Sequence, residues 1–494
     1  MPKVMVCTRA KLESYVKILG DGNLSTDGHV ILCKICERQV TADRKSQITQ
    51  HLNGARHKSL LIKKTQATSS SVVQIGSFLK TSGRQSKFKL DLREALVSAG
   101  IPLRKLENAK LKRFLGTYSK EQIPCPSTLR KIYLESVYEQ KLEFIRNAVD
   151  GTSIWLSIDE RTDVTGRSVA HTVVGTLGTE GTKSFLLHAE SLEKTNSSTI
   201  SQAFMNSLAV LWPDGIQHEK VLLFVSDGAA YMKKAGAALK VIFSKMLHVT
   251  CAAHAVHSIA EEVRLIFPDV DRLVANGKKV FRKSAARVIR FREIAPGTAL
   301  PPQPILTRWG TRIDAAIYYA RNLEVFSSVI YALDASEAAS IRVVQQLLEA
   351  ATLKDDLAFI DAHFGALPKG IAALEEQNVP LVGSTEIFEN LLLDLKRTPG
   401  SIGEKIRRKC DHVLRDNPDY HQLKRVANIL RGYASEEPDD DILSPSELAS
   451  LKFAPITSVD VERSFSMLKH TLSDRRRGFT FEHLKQVLVV YCNQ

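Results

Sequence analysis

Two dominantly apolar runs in this chain each stop at an aspartate. Ile154-Trp155-Leu156-Ser157-Ile158 runs into Asp159, and Val221-Leu222-Leu223-Phe224-Val225-Ser226 runs into Asp227. Short apolar runs bounded by polar residues read as buried strands. A carboxylate at the tip of a buried strand is costly unless something compensates it. A third acid, Glu462, lies far downstream in the amphipathic stretch Ser458 to Phe465. If the two strand tips are neighbours and a helix brings the glutamate, the three make a cage of hard oxygen donors suited to Mg²⁺. The plainer reading of a strand-end aspartate is a helix cap or turn residue, and Asp227-Gly228 fits it. Asp163 competes with Asp159 for the first position, and Asp460 competes with Glu462 for the third.

The order of elements around these acids constrains the class. Strand-like runs at Ser153–Asp159, Ser168–Leu177 and Lys183–Leu192 have short connections, including Gly178 to Gly181, and suit an antiparallel meander. A helix at Ser198–Leu211, a strand at Lys220–Ser226, a helix from Ala229 to about Phe243, a strand at Met246–Cys251 and a helix over Ala255–Phe267 follow. Three antiparallel strands followed by β-α-β units describe an α/β, ribonuclease-H-like core. In such a sheet the first and fourth strands are neighbours. The roughly 200 residues between Cys251 and Glu462 carry mainly helical periodicity and read as an all-α insertion within that core.

At 494 residues the chain holds several cores, and its apolar and charged contents are those of a globular protein. No continuous apolar run reaches the roughly 20 residues that span a bilayer, and Met1 to Gly20 lacks the apolar centre of a signal peptide. An intracellular protein without a membrane partner is expected. The seven cysteines are odd in number and mostly scattered, which points to reduced thiols and one metal pair. Residues 1–90 hold 16 Lys and Arg against 5 Asp and Glu, so +11 of the net +14 sits there. Such an asymmetry suits an arm that meets a polyanion.

That arm carries a finger pattern. Cys33 and Cys36 are followed after 14 intervening residues by His51, and His57 follows after five more. Two thiolates on a knuckle and two imidazoles on a helix close a tetrahedral Zn²⁺ site. The His51–His57 spacing requires a break in that helix, for which Gly54 is placed. Arg44, Lys45, Arg56 and Lys58 surround the helix and are candidates for DNA contact. Residues 65–87 read as a tether, and a helical segment follows over 88–150. The run Asp27 to Cys33, with Arg44 to Leu52, resembles the finger of the CGG triplet-repeat-binding protein. The likeness continues through Ala99 to Leu103, Arg113 to Leu115 and Leu129 to Leu134.

The body resembles the hAT superfamily of DNA transposases. Val225 to Met232 looks like their second-aspartate motif, Cys251-Ala-Ala-His254 their C-x-x-H motif, and Leu306-Thr-Arg308-Trp309 their T-R-W element. Ser458 to Phe465, with Arg477 and the run to Asn493, resembles their C-terminal dimerisation region. The resemblance implies Asp159, Asp227 and Glu462 as catalytic acids holding Mg²⁺ or Mn²⁺, although Asp159-Glu-Arg-Thr departs from the common D-x-W-[TS] form. It implies cleavage and joining of double-stranded DNA, Arg308 and Trp309 on a distorted base, and Cys251 and His254 supporting the joining step. It also implies a homo-oligomer and residence in the nucleus. The expected organisation is a zinc finger over 1–64, a linker over 65–87 and a helical DNA-binding or dimerisation segment over 88–150. The core then occupies 151–265, the insertion 266–445, and the C-terminal region completing the core 446–494. The alternative is a domesticated, catalytically silent DNA-binding regulator that keeps the finger and the dimer.

Overall fold

The computed structural model describes residues 9–19, 23–26, 31–33, 35–36, 38–40, 42, 44–55, 57–58, 87–304, 310–433, 443–472 and 478–494. Arg56, the tether over 65–86, the Leu306 to Trp309 element and Arg477 lie outside the described residues. The chain forms two compact units, one of Met1–Asp91 with Leu115–Gln122 and one of Leu92–Phe114 with Ile123–Gln494.

In the first unit a helix, Arg9–Leu19, precedes three short antiparallel strands: β1 (Leu24–Thr26), β2 (Ile31–Cys33) and β3 (Arg38–Val40). The helix Lys45–Asn53 follows, and the backbone N–H of Arg44 donates to Gln47 Oε1 at 2.9 Å at its start. Leu12, Leu24, Ile31, Cys33, Val40 and Ile48 form one small core. So few apolar residues give a marginal core, the size at which folds of this kind lean on a metal.

The second unit is built on a five-stranded mixed sheet, β4 (Ser153–Thr162), β5 (Ser168–Leu177), β6 (Ser184–Leu192), β7 (Val221–Ser226) and β8 (Leu247–Thr250). The spatial order is β6-β5-β4-β7-β8. β4–β5 and β5–β6 pair antiparallel, while β4–β7 and β7–β8 pair parallel. β7 is buried along its whole length, which is why its sequence is continuously apolar and does not alternate. The β4–β5 hairpin turns on Asp163. Its Oδ1 accepts from the Thr165 N–H at 2.7 Å and the Arg167 N–H at 3.1 Å, and Oδ2 accepts from Arg167 Nε at 2.8 Å.

Successive residues of a strand face opposite sides, so β5 shows what covers each face. His171 Nδ1 lies 2.6 Å from Ser464 Oγ, and its ring stacks on Phe465 at 4.3 Å, both on the helix Val459–Thr471. Thr172 Oγ1 accepts from Ser207 Oγ at 2.8 Å, on the helix Ser197–Leu211. The sheet is thus a middle layer between helices, one of them drawn from the far end of the chain. Both sheet edges are closed by asparagine side chains acting as short strands. On β6, Asn493 Oδ1 accepts from the Leu186 N–H at 2.9 Å and its Nδ2 donates to Leu186 O at 2.8 Å. On β8, Asn417 does the same for Thr250, at 2.9 Å each way. Asp419 adds a bond from the His248 N–H to its Oδ2 at 2.7 Å.

Between β8 and the helix Val459–Thr471 the described residues contain helices and no strand, from Ala252–Ile266 through Tyr420–Leu430 to Pro445–Ser450. The expected acidic return, Glu436 to Asp441, lies outside the described residues. One stretch, Ala351–Leu374, reaches the length and hydropathy of a membrane span. A turn at Gly365–Ala366 divides it into helices of 14 and 8 residues, each short of a bilayer core of about 30 Å. Helix boundaries correct the sequence reading in one place that matters. The helix after β8 starts at Ala252, not Ala255, so Cys251 is its cap and His254 lies in its first turn. The Cys251 N–H donates to Ser226 O at 2.8 Å, which continues the β7–β8 pairing up to the first helical residue.

Candidate functional site

Asp159 and Arg161 share the face of β4 that looks toward the helix Val459–Thr471. Glu160, on the opposite face, accepts a hydrogen bond from the Tyr231 hydroxyl. Asp159 is only 6% exposed, and its Oδ1 accepts from the Glu160 N–H at 2.8 Å. Glu462 lies in the first turn of its helix, where Oε2 forms an ion pair with Arg161 Nη2 and Oε1 lies 3.7 Å from His254 Nε2. The Arg161 guanidinium also sits 5.2 Å from the centre of the Phe465 ring. One ligand atom from each of Asp159, His254 and Glu462 falls within 4.8 Å of the other two.

Asp227 follows β7 and is half-exposed. Its Oδ1 accepts from the Ala229 N–H at 3.0 Å, which is the turn role that a strand-end aspartate ordinarily has. It lies outside the three-residue cluster but close enough for its charge to act on Asp159. With Lys233, His254, His257, Lys409 and His412 it lines a cavity of about 430 Å³. Asp163 is engaged in the β4–β5 turn. Asp460, two helix positions before Glu462, accepts from Gln377 Nε2 and Arg463 Nη1 at 2.7 Å each. Neither alternative acid joins the cluster.

The electrostatics follow from burial and crowding. Burial, then the charges of Glu462 and Asp227, hold the Asp159 carboxyl well above the usual carboxylate range. Burial works against a charged His254. The Cys251 sulfur, Asp159 and Glu462 prevail and push its imidazole up to about 9. For the Cys251 thiol, burial raises the value, but His254 and the Ser458 N–H, 3.2 Å from Sγ, bring it below that of a free thiol. Ser458 Oγ lies 3.5 Å from His254 Nδ1, so the C-x-x-H pair is fixed from below by the loop that leads into the Glu462 helix.

Cys251 itself is 1% exposed, so any support it gives passes through the residues that it touches. A thiol so enclosed touches His254 and Ser458. Its place at the end of a buried strand, against a helix start, is the physical cause. Arg308 and Trp309 lie outside the described residues. The residue overlooked in the sequence is Arg161. The signal available was its position two after Asp159, which puts both on one strand face.

In the finger, Cys33 Sγ and Cys36 Sγ lie 3.4 Å and 3.3 Å from His57 Nδ1. Zn–S of about 2.3 Å and Zn–N of about 2.0 Å at a tetrahedral angle put sulfur and nitrogen about 3.5 Å apart. Cys33, Cys36, His51 and His57 each offer a ligand atom within 4.8 Å of the others, so the four can hold a zinc ion. The helix ends after Asn53 with Gly54 extended (φ −64°, ψ 141°), the break that the His51–His57 spacing requires. Arg44, Lys45 and Lys58 are exposed on this unit. In the second unit, the basic run Lys278, Lys279, Arg282, Lys283, Arg287, Arg290 and Arg292 is partly engaged within the protein. Arg287 Nε and Arg290 Nη1 pair with Glu337 and Glu293 at 3.1 Å each.

Residues 124–280, less than half of the chain, match the profile of a domain of unknown function, DUF659. No curated protein sequence matches. The Drosophila P element transposase strand transfer complex is similar at 14% identity, over 88% of this chain and 97% of that chain. Its TM-score of 0.37 is too low to speak for fold or function.

Proposed function

We propose that this chain is a DNA transposase of hAT type, or a close derivative, that cuts and joins double-stranded DNA at transposon ends. The observation that carries the reading is the convergence of Asp159 and Glu462, from β4 and from a helix near the end of the chain, on one buried point beside Asp227. The strand order and directions of β4 to β8 support a ribonuclease-H-like core, with the helices from Pro268 to Leu430 in its all-α insertion. The residues fit a divalent cation. Two carboxylates and an imidazole lie in mutual reach, and burial and the neighbouring acids already strain the charge on Asp159, which a bound cation would relieve.

Mg²⁺ or Mn²⁺ bound there supplies the charge that activates an attacking oxygen and stabilises the leaving one. Asp159, Asp227 and Glu462 hold the site open on one side to a phosphodiester. Cys251 and Ser458 orient His254. The finger, loaded with Zn²⁺ on Cys33, Cys36, His51 and His57, holds duplex DNA through Arg44, Lys45, Arg56 and Lys58. Arg308 and Trp309 meet the distorted base at the cut, the indole face stacking on it. Holding two DNA ends requires at least a dimer, and the substrate places the protein in the nucleus. The test is incubation of the purified chain with candidate terminal-repeat DNA and Mg²⁺ or Mn²⁺. Cleavage that disappears in Asp227→Ala, with DNA binding retained, is expected. Specific binding with no cleavage by the intact chain would overturn the enzymatic reading.

One observation favours a second reading, a domesticated DNA-binding regulator. The Arg161 guanidinium already neutralises Glu462, the charge that a catalytic cation needs. A permanent ion pair there leaves a finger and an oligomer without chemistry.

A further inference from the structure

The acid cluster is not an all-oxygen site. Three elements deliver it: Asp159 from β4, Glu462 from the helix Val459–Thr471, and His254 from the first turn of Ala252–Ile266. The sequence reading had Asp227 as the third ligand, but Asp227 lies outside the cluster and bonds to its own turn. His254 is built as metal-ligating histidines are. One ring nitrogen, Nδ1, is engaged from behind by Ser458 Oγ at 3.5 Å, and the Cys251 sulfur packs against the same imidazole. The other, Nε2, faces Glu462 Oε1 at 3.7 Å, a separation that a shared cation spans. The short backbone link from Ala252 N to Ile456 O, 2.9 Å, ties the His254 helix to the loop before the Glu462 helix, so the two ligands are held in one frame.

Resting on the transposase reading above, we infer that the resident cation of this site is a first-row transition metal such as Mn²⁺, bound by Asp159, His254 and Glu462 with one nitrogen and two oxygen donors. An imidazole donor favours a transition metal over magnesium, which takes oxygen ligands and retains its waters, and Mn²⁺, the weakest binder of that series, serves as its paramagnetic probe. Asp227 is then left to act on the substrate side, at the cavity that it lines with His254 and Lys233.

The experiment is a titration of the full-length, zinc-loaded protein with Mn²⁺, followed by electron paramagnetic resonance. One Mn²⁺ per chain is expected, with nitrogen modulation in the pulsed spectrum that changes when histidine is isotopically labelled. His254→Gln removes the modulation and weakens Mn²⁺ about tenfold or more. His257→Gln and His57→Gln keep it, which separates this imidazole from its neighbour and from the finger. Mg²⁺ competes poorly for the site. Mn²⁺ bound without nitrogen modulation, modulation that survives His254→Gln, or no bound Mn²⁺ at all would overturn the inference. The labelled wild-type spectrum decides the ligand type even if the variants misfold. An all-oxygen site with cleavage intact would remove this inference and leave the transposase reading. A nitrogen-ligated site without cleavage would do the reverse.

Discussion

Arg161 decides how the acid cluster behaves in the absence of DNA. It sits on the same strand face as Asp159, pairs with Glu462 and lies over Phe465, so this half-buried cation is held at the cluster by two partners. Removing it leaves Glu462 without its counter-charge and frees one oxygen for a metal. Arg161→Ala is expected to tighten Mn²⁺ binding by about tenfold, equivalent to about 1.4 kcal/mol. Calorimetric titration of both proteins measures this, and unchanged affinity would mean that Arg161 does not compete with the cation. A second position is sterically fixed. A Cβ built on Gly236 would stand 2.0 Å from Nδ1 of the buried His248, which itself lies 2.9 Å from Ser226 Oγ. Gly236→Ala therefore displaces the residue that holds the strand end leading to Asp227. A loss of about 2 kcal/mol or more is expected in urea unfolding.

At the scale of elements, the sheet edges are the distinctive construction. An exposed edge is a template for pairing with another chain. Here Asn493 closes β6 and Asn417 closes β8, each with a donor and an acceptor on one backbone residue. Asn417→Ala or Asn493→Ala strips both partners from a buried amide and carbonyl. Each is expected to cost about 1–3 kcal/mol and to raise aggregation on heating, read by calorimetry with light scattering. Aspartate at either position keeps only the acceptor and should fall between. The same two contacts show why distant segments belong to the sheet: one asparagine comes from the helical stretch, the other from the end of the chain.

For the whole molecule, the two compact units respond to different insults. The finger core is small and its four ligands converge on one point, so chelation of zinc should unfold it and, on the proposed function, abolish DNA binding. All three tryptophans lie beyond residue 150, so intrinsic fluorescence of the second unit should be unchanged by the chelator. Acid should do the opposite. Burial, the first cause in each case, holds His171 at about 3 and His188 and His248 at about 4, against an ordinary value of 6.5. Above about pH 6.5 both folded and unfolded chains carry these imidazoles neutral, and they contribute nothing. Below it the unfolded chain takes protons that the fold refuses. Stability then falls by about 1.4 kcal/mol per histidine for each pH unit until the folded values are reached. Asp159 opposes this, because its raised carboxyl binds a proton more readily in the fold than in the unfolded chain, and His254 opposes it as well between about pH 9 and 6.5, where the fold holds a proton that the unfolded chain has lost. With three histidines against them, the urea midpoint followed by tryptophan fluorescence should be lower at pH 5 than at pH 7.5.

Much of this protein is legible along the chain because the relevant physics is local. The strand runs at Ser153, Ser168 and Val221 announce themselves by apolar content, and the Cys33, Cys36, His51, His57 spacing announces a finger with its helix break at Gly54. Side-chain alternation and turn chemistry need no partner. What the tertiary structure alone decided concerns groups that meet across long separations. Arg161 on Glu462, the asparagines at the sheet edges, and His254 in place of Asp227 in the cluster all depend on which faces pack together. Asp163 and Asp159 look alike in sequence, yet one closes a turn and the other is buried against a glutamate from the far end of the chain. Sequence determined which carboxylates were available; packing determined which of them must share their charge.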